Sequence, residues 1–301
     1  MSEILTLIKK PEIPRKLVKP SQPIELIQPS EPKFMAVGVI TGEVDLSEKI
    51  PTITIQGKAY PLFFLLKHNR KRYVLDILKG HIEAGNREHR LVVYPKPIHF
   101  PDRNKFQDIR FEVIGILQED RPHAWAEAIG NGYFILAGLW QFIPVCKVPC
   151  VSVFRNHSEQ LVNYLKNHQA TERTRVLKAG HCPLFWRDSS VKPFRFNPKL
   201  KEQGKPKFIQ VKARFLPHKN AFAFVEELAP PMDQAPRFCK VRKEDKQEAL
   251  AEAKRRAAEM AEKRAAETAE NPEKTAAEIP EKRPAEIPEK RPAEIPESAE
   301  S

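Results

Sequence analysis

From residue 34 to about 230, apolar and polar positions alternate in short runs with the two-residue period of half-buried strands. A first set covers residues 34–43, 51–55, 58–64, 91–94 and 109–117. Gln56-Gly57 separates the second and third runs and predicts a hairpin turn. Residues 68–82 fit two templates. Tyr73, Val74, Ile77, Leu78 and Ile82 fall near helical spacing, while 73–77 also reads as a strand. A second set covers 134–142, 148–154, 184–186 and 207–215, with 221–225 as an extra strand. Between its second and third runs a helix is predicted after Ser158, a good N-cap, with Leu161, Val162 and Leu165 on one face.

The two sets share an order of elements and, at an offset of 100, some of their letters. Phe34-Met35-Ala36-Val37-Gly38-Val39-Ile40 matches Phe134-Ile135-Leu136-Ala137-Gly138-Leu139-Trp140, and Ile109-Arg110-Phe111-Glu112-Val113 matches Ile209-Gln210-Val211-Lys212-Ala213. This predicts a duplication. Strands, a helix and further strands within about 90 residues predict a small β-barrel, whose nearest layout is the five-stranded OB type. The central glycine of each first strand, Gly38 or Gly138, fits a strand that must coil sharply. The expected architecture is mainly β: one OB-like barrel over residues 34–122 and a second over 131–230, each with one helix.

The flanks are different material. Residues 1–33 carry six prolines and predict an extended, flexible arm. Residues 242–270 are rich in Ala, Glu, Lys and Arg and predict a charged helix, supported by pairs such as Glu252–Arg256 and Glu259–Lys263. Over 271–301 the unit Glu-Ile-Pro-Glu-Lys-Arg-Pro-Ala recurs, and proline-spaced mixed charge of this kind predicts disorder.

Charge then separates the two copies. The chain is formally +12, and residues 171–220 alone hold 13 Lys and Arg against Glu172, Asp188 and Glu202. Residues 41–130 hold 14 basic groups against 12 acidic ones. Aromatics are interleaved with the basic stretch: Phe185, Trp186, Phe194, Phe196, Phe208 and Phe215. Cations pair with phosphates and flat rings stack on unpaired bases. The predicted partner is therefore single-stranded or structured RNA or DNA, bound with low sequence specificity by the second barrel. The strand 207–215 should send Ile209, Val211, Ala213 and Phe215 into the core and expose Gln210, Lys212 and Arg214, continued by Lys207 and Lys219. Residues 192–196 and 199–207 read as a long basic loop, placing Arg187, Lys192, Phe194, Arg195, Phe196 and Lys199 at the contact. Trp186 is a candidate stacking face whose alternative is to plug the barrel's end. The rival function is an adaptor that uses 1–33 and 271–301 for protein contacts.

Other chemistry is thin. His68-Asn69-Arg70-Lys71-Arg72 reads as a solvated basic turn. Cys146 and Cys150 lie four apart without a second tight pair, with His157, His168, His181 and Cys182 later, so no metal site is expected. The acidic residues Asp102, Asp108, Glu112, Glu119 and Asp120 read as surface ion-pairing groups. No phosphate-cradling glycine loop, Gly-x-Ser-x-Gly elbow or His-Glu-x-x-His pair occurs, so neither enzyme nor cofactor is expected. Four cysteines in a chain this long are expected to be reduced, and no apolar run nears the roughly 20 residues of a membrane span. The default location is cytoplasmic.

Overall fold

The computed structural model describes residues 31–64, 69–102, 104–118 and 123–270. Most of the arm (1–30), the repeat tail (271–301), His68, Glu119 and Asp120 lie outside the described residues. Within them the chain is mainly β and contains a closed five-stranded barrel.

Strands β1 (Met35–Asp45), β2 (Thr52–Ile55), β3 (Lys58–Phe63), β4 (Glu88–Ile98) and β5 (Asp108–Leu117) pair in the order β1-β2-β3-β5-β4, and β4 returns to β1. Only the β3–β5 contact is parallel. The β2–β3 hairpin turns at Gln56 and Gly57, with φ 50° and 77°, the positive pair that an I′ turn demands. Helix α1 (Asn69–Glu83) fills the β3–β4 connection, so residues 69–82 resolve as helix, and Leu78 is its fully buried anchor. Carrying the register once round the ring returns to β1 about ten residues from the start, twice the strand number, so the strands tilt steeply.

Helix α2 (Ala124–Ile129) leads into a second ring: β6 (Tyr133–Gln141), β7 (Cys150–Val153), β9 (Gly180–Phe185), β10 (Phe208–Leu216) and β11 (Ala221–Met232). Their order β6-β7-β9-β11-β10 closes through β10–β6, again with one parallel contact, β11–β9. The short β8 (Arg155–Asn156), α3 (Glu159–Lys166) and α4 (Ala170–Leu177) lie between β7 and β9. Ser158 caps α3, accepting from the Leu161 amide at 3.1 Å. A two-residue strand, β12 (Phe238–Cys239), pairs with β8, and α5 (Lys243–Glu270) packs on α4 through an Arg173–Asp245 ion pair.

This pairing corrects the internal alignment. The offset of 100 matches β5 with β10, which hold different places: β5 is the fifth strand of its ring and β10 the fourth. The last strand of copy two is β11, and 207–215 precedes it. Glycines locate the true register of the first strands. A Cβ on Gly42 would stand 2.2 Å from the Thr54 carbonyl oxygen, and one on Gly138 would stand 2.5 Å from that of Ser152. Both glycines thus make the same close approach to their own second strand, and 138 against 42 is an offset of 96.

The rings join where the first halves of β1 and β6 pair antiparallel. The pair Gly38–Phe134, last in this ladder, also differs by 96, so here two equivalent positions face each other. Only one side chain fits there. A Cβ on Gly38 would lie 2.3 Å from the Phe134 ring. Around Phe134, the rings of Tyr60, Phe111, Phe215 and Phe222 meet at centroid separations of 5.0–6.2 Å. Tyr60 and Phe111 belong to the first ring of strands and the others to the second, so one core runs through both. Such pairs add roughly 0.5–1.5 kcal/mol each beyond burial.

Candidate nucleic-acid interface

The fourth-to-fifth-strand loops are exchanged between the rings. The Tyr60 hydroxyl and Lys58 Nζ of β3 donate to the Pro217 carbonyl oxygen, at 2.7 and 3.3 Å, in the β10–β11 loop. Reciprocally, the β4–β5 loop reaches the second ring: His99 Nε2 donates to the His181 carbonyl oxygen at 2.7 Å, and Gln107 Nε2 to that of Lys219 at 3.0 Å. The third strand of each ring therefore carries the other ring's loop. At one end of the second ring the β6–β7 loop (142–149) meets the basic loop 186–207.

That basic loop is strapped to β6. Phe194 N donates to the Trp140 carbonyl at 3.1 Å, Phe142 N to that of Phe194 at 2.8 Å, and Trp140 Nε1 to that of Val191 at 3.1 Å. Its outer turn is held by Asn197 and Gln203: the Lys199 amide donates to Asn197 Oδ1 and Gln203 Nε2 to the Leu200 carbonyl. The chain here is an ordered platform without regular secondary structure, because backbone groups find partners one by one.

The predicted residues divide. Arg187, Lys192, Arg195, Lys199, Arg214 and Lys219 are exposed and form no ion pair among the described residues. Lys207 pairs with Asp233 at 3.2 Å; Lys212 lies 3.9 Å from Glu226 and donates to the Ala128 carbonyl. The β10 ladder is thus partly neutralised by acids on and just beyond β11. Arg214 sits at the far end of β10 from the basic loop, opposite Tyr133. Lys219 covers Phe185 at 5.0 Å. Trp186 stacks flat on Phe224 at 4.3 Å, lies 5.8 Å from Trp140 and packs partly buried against the core. Phe194 is half-buried, and Phe196 is 64% exposed.

The structure adds residues that sequence reasoning passed over. Arg195 lies 4.4 Å above the Phe142 ring, Lys147 3.8 Å above Phe106 and Lys105 3.9 Å above Phe100. Phe106 is 72% exposed. Phe100, Lys105 and Phe106 come from the first ring's β4–β5 loop, and Phe142 and Lys147 from the β6–β7 loop. Three loops thereby present cations alternating with rings. No local motif marks the Arg195–Phe142 and Lys147–Phe106 pairs, because their partners lie tens of residues apart.

A His/Cys group adjoins this surface. The ligand atoms of His99, Cys146 and Cys150 lie within 4.8 Å of one another, with Cys146 Sγ 3.4 Å from His99 Nδ1. A hydrogen bond from Cys150, aided by His99, lowers the Cys146 pKa against the opposing effect of burial, while the same contact and burial raise that of Cys150. Burial opposes charge on His99, yet its bonds to Cys146 and the His181 carbonyl lift its pKa overall. Burial depresses His181 to about 4 and holds Cys182 up at about 12. His99 escaped the sequence reading because it lies 47 residues before Cys146.

Comparison with protein-family models, with curated proteins and with solved structures gives no match. Among the described residues no helix is long and apolar enough to cross a membrane.

Proposed function

We propose that this is a non-enzymatic nucleic-acid-binding protein built of two OB-like barrels. On this reading it holds single-stranded RNA or DNA, with low sequence specificity, on the loop end of the second barrel. The observation that carries the reading is the interleaving of cations that form no ion pair among the described residues with accessible rings across three adjoining loops: Lys105 and Phe106, Phe142 and Lys147, Arg195 and Phe196. A cation over one face of a ring leaves the other face for a base, and base–aromatic stacking contributes roughly 1–3 kcal/mol per base. The strand order with its parallel third-to-fifth contact supports the OB assignment in both rings. In an OB barrel the face of strands two and three takes the ligand. Here each third strand carries the sister loop, so the ligand is moved to the adjoining loop end. Position also favours loop 186–207: in the first ring the connection between strands three and four holds helix α1, and in the second it holds cationic loop instead.

The test is a fluorescence-anisotropy panel of labelled single-stranded RNA, single-stranded DNA and duplex DNA at two salt concentrations. The reading expects single strands to bind more tightly than duplex, with affinity falling as salt rises. No binding to any of them at low salt would overturn it. Partners that survive nuclease and require residues 1–33 or 271–301 would favour the adaptor.

A further inference from the structure

We propose that His99, Cys146 and Cys150 form a zinc site that pins the β4–β5 loop of the first barrel onto the second. The donor set is the first argument. One imidazole and two thiols are ligands that zinc favours, and their donor atoms already lie within 4.8 Å of one another. The separation is the second. Two ligands on a tetrahedral zinc, with Zn–N near 2.1 Å and Zn–S near 2.3 Å, stand about 3.5 Å apart. His99 Nδ1 and Cys146 Sγ stand 3.4 Å apart.

The orientation of His99 is the third and independent argument. Its Nε2 donates to the His181 carbonyl at 2.7 Å, so that nitrogen carries the hydrogen, and in the neutral imidazole a metal would meet Nδ1 offers its lone pair on the side of the cysteines. Metal-bound histidines are held this way, with the second ring nitrogen bonded to a carbonyl or carboxylate that fixes tautomer and angle. His181 is itself engaged, its Nδ1 lying 2.9 Å from Ser152 Oγ, and does not complete the set. The fourth position falls to water on the partly exposed side of Cys146. Local sequence explains the convergence. Cys146 closes a turn with its amide on the Ile143 carbonyl, and Cys150 opens β7 fully buried. His99 arrives from the other barrel at the end of β4.

The experiment uses full-length protein, reduced and stripped with chelator, then titrated with Zn²⁺ against a chromophoric chelator and separately with Co²⁺. The proposal expects one ion per chain, a thiolate-to-cobalt charge-transfer band with tetrahedral visible bands, and a thermal midpoint raised by zinc. Cys146→Ser and His99→Ala each weaken zinc affinity by at least the roughly 10–100-fold typical of perturbed supporting shells. Cys239→Ser, in β12, leaves it unchanged. Both informative variants sit at partly exposed positions, and circular dichroism confirms their folding. Wild-type affinity weaker than roughly micromolar, or undiminished affinity in folded Cys146→Ser, overturns the site. So does a Cys146–Cys150 disulfide formed in air together with no zinc uptake by the reduced protein. Oligonucleotide binding is measured separately and does not decide this result.

Discussion

Gly42 and Gly138 sit where the first strand of each ring comes nearest its second, and a carbonyl oxygen occupies the space a methyl group would need. Gly138→Ala is predicted to cost about 1–3 kcal/mol in urea unfolding, as overpacking does. Gly180→Ala, with nothing within 4 Å of the added carbon, should be neutral or slightly stabilising. Tyr60 gives a second residue-level test. Burial raises its pKa, and its hydroxyl donates to the Pro217 carbonyl across the joint. A raised folded-state pKa means that its contribution is fully present below the ordinary tyrosine value, near 10, and is lost as pH rises beyond it. The stability difference between wild type and Tyr60→Phe should therefore shrink above about pH 10, followed by denaturant midpoints. A difference constant to pH 11 would contradict the buried donor. The sequence marked Gly138 as special but for another reason. Coiling was the expected need, whereas the need observed is backbone contact, which depends on a strand that no local window contains.

At the scale of elements, loop 186–207 replaces the helix found between strands three and four of the first ring, and rings of different exposure serve different ends. Phe196→Ala should weaken single-strand binding by about 1–3 kcal/mol while leaving the thermal midpoint unmoved. Trp186→Ala should do the reverse. It removes a ring packed between Phe224 and Trp140, at a stability cost of up to about 3–5 kcal/mol. Strands were legible because alternation survives wherever one face is buried. Their equivalence across the duplication was not. Gly42 maps to Gly138, an offset of 96, while the parallel partners Phe111 and Phe222 differ by 111. Connections of different length intervene, so no single offset aligns the copies, and the match at 100 set a fifth strand against a fourth.

For the whole molecule, the Tyr60, Phe111, Phe134, Phe215 and Phe222 cluster gives the rings one core, so they should unfold together. Calorimetry and far-ultraviolet circular dichroism are expected to show one coincident transition, lowered as a unit by Phe215→Ala at roughly 3–5 kcal/mol. Two separate transitions would mean that the rings are independent. The charge excess of residues 171–220 was legible as a total, and its location was not. Ion pairs to Asp233 and Glu226 occupy Lys207 and Lys212, which only the pairing of β10 with β11 reveals. Loops from both rings contribute to the remaining surface, which no reading confined to one copy contains. The most direct test is the slope of log binding constant against log salt for a labelled single-stranded oligonucleotide. Each phosphate neutralised contributes about −0.7 to that slope on single strands. The combined variant Lys192→Glu, Arg195→Glu, Lys199→Glu should flatten it by about 2, and Lys212→Glu should leave it nearly unchanged. Equal slopes for wild type and the combined variant would contradict the assignment of the interface.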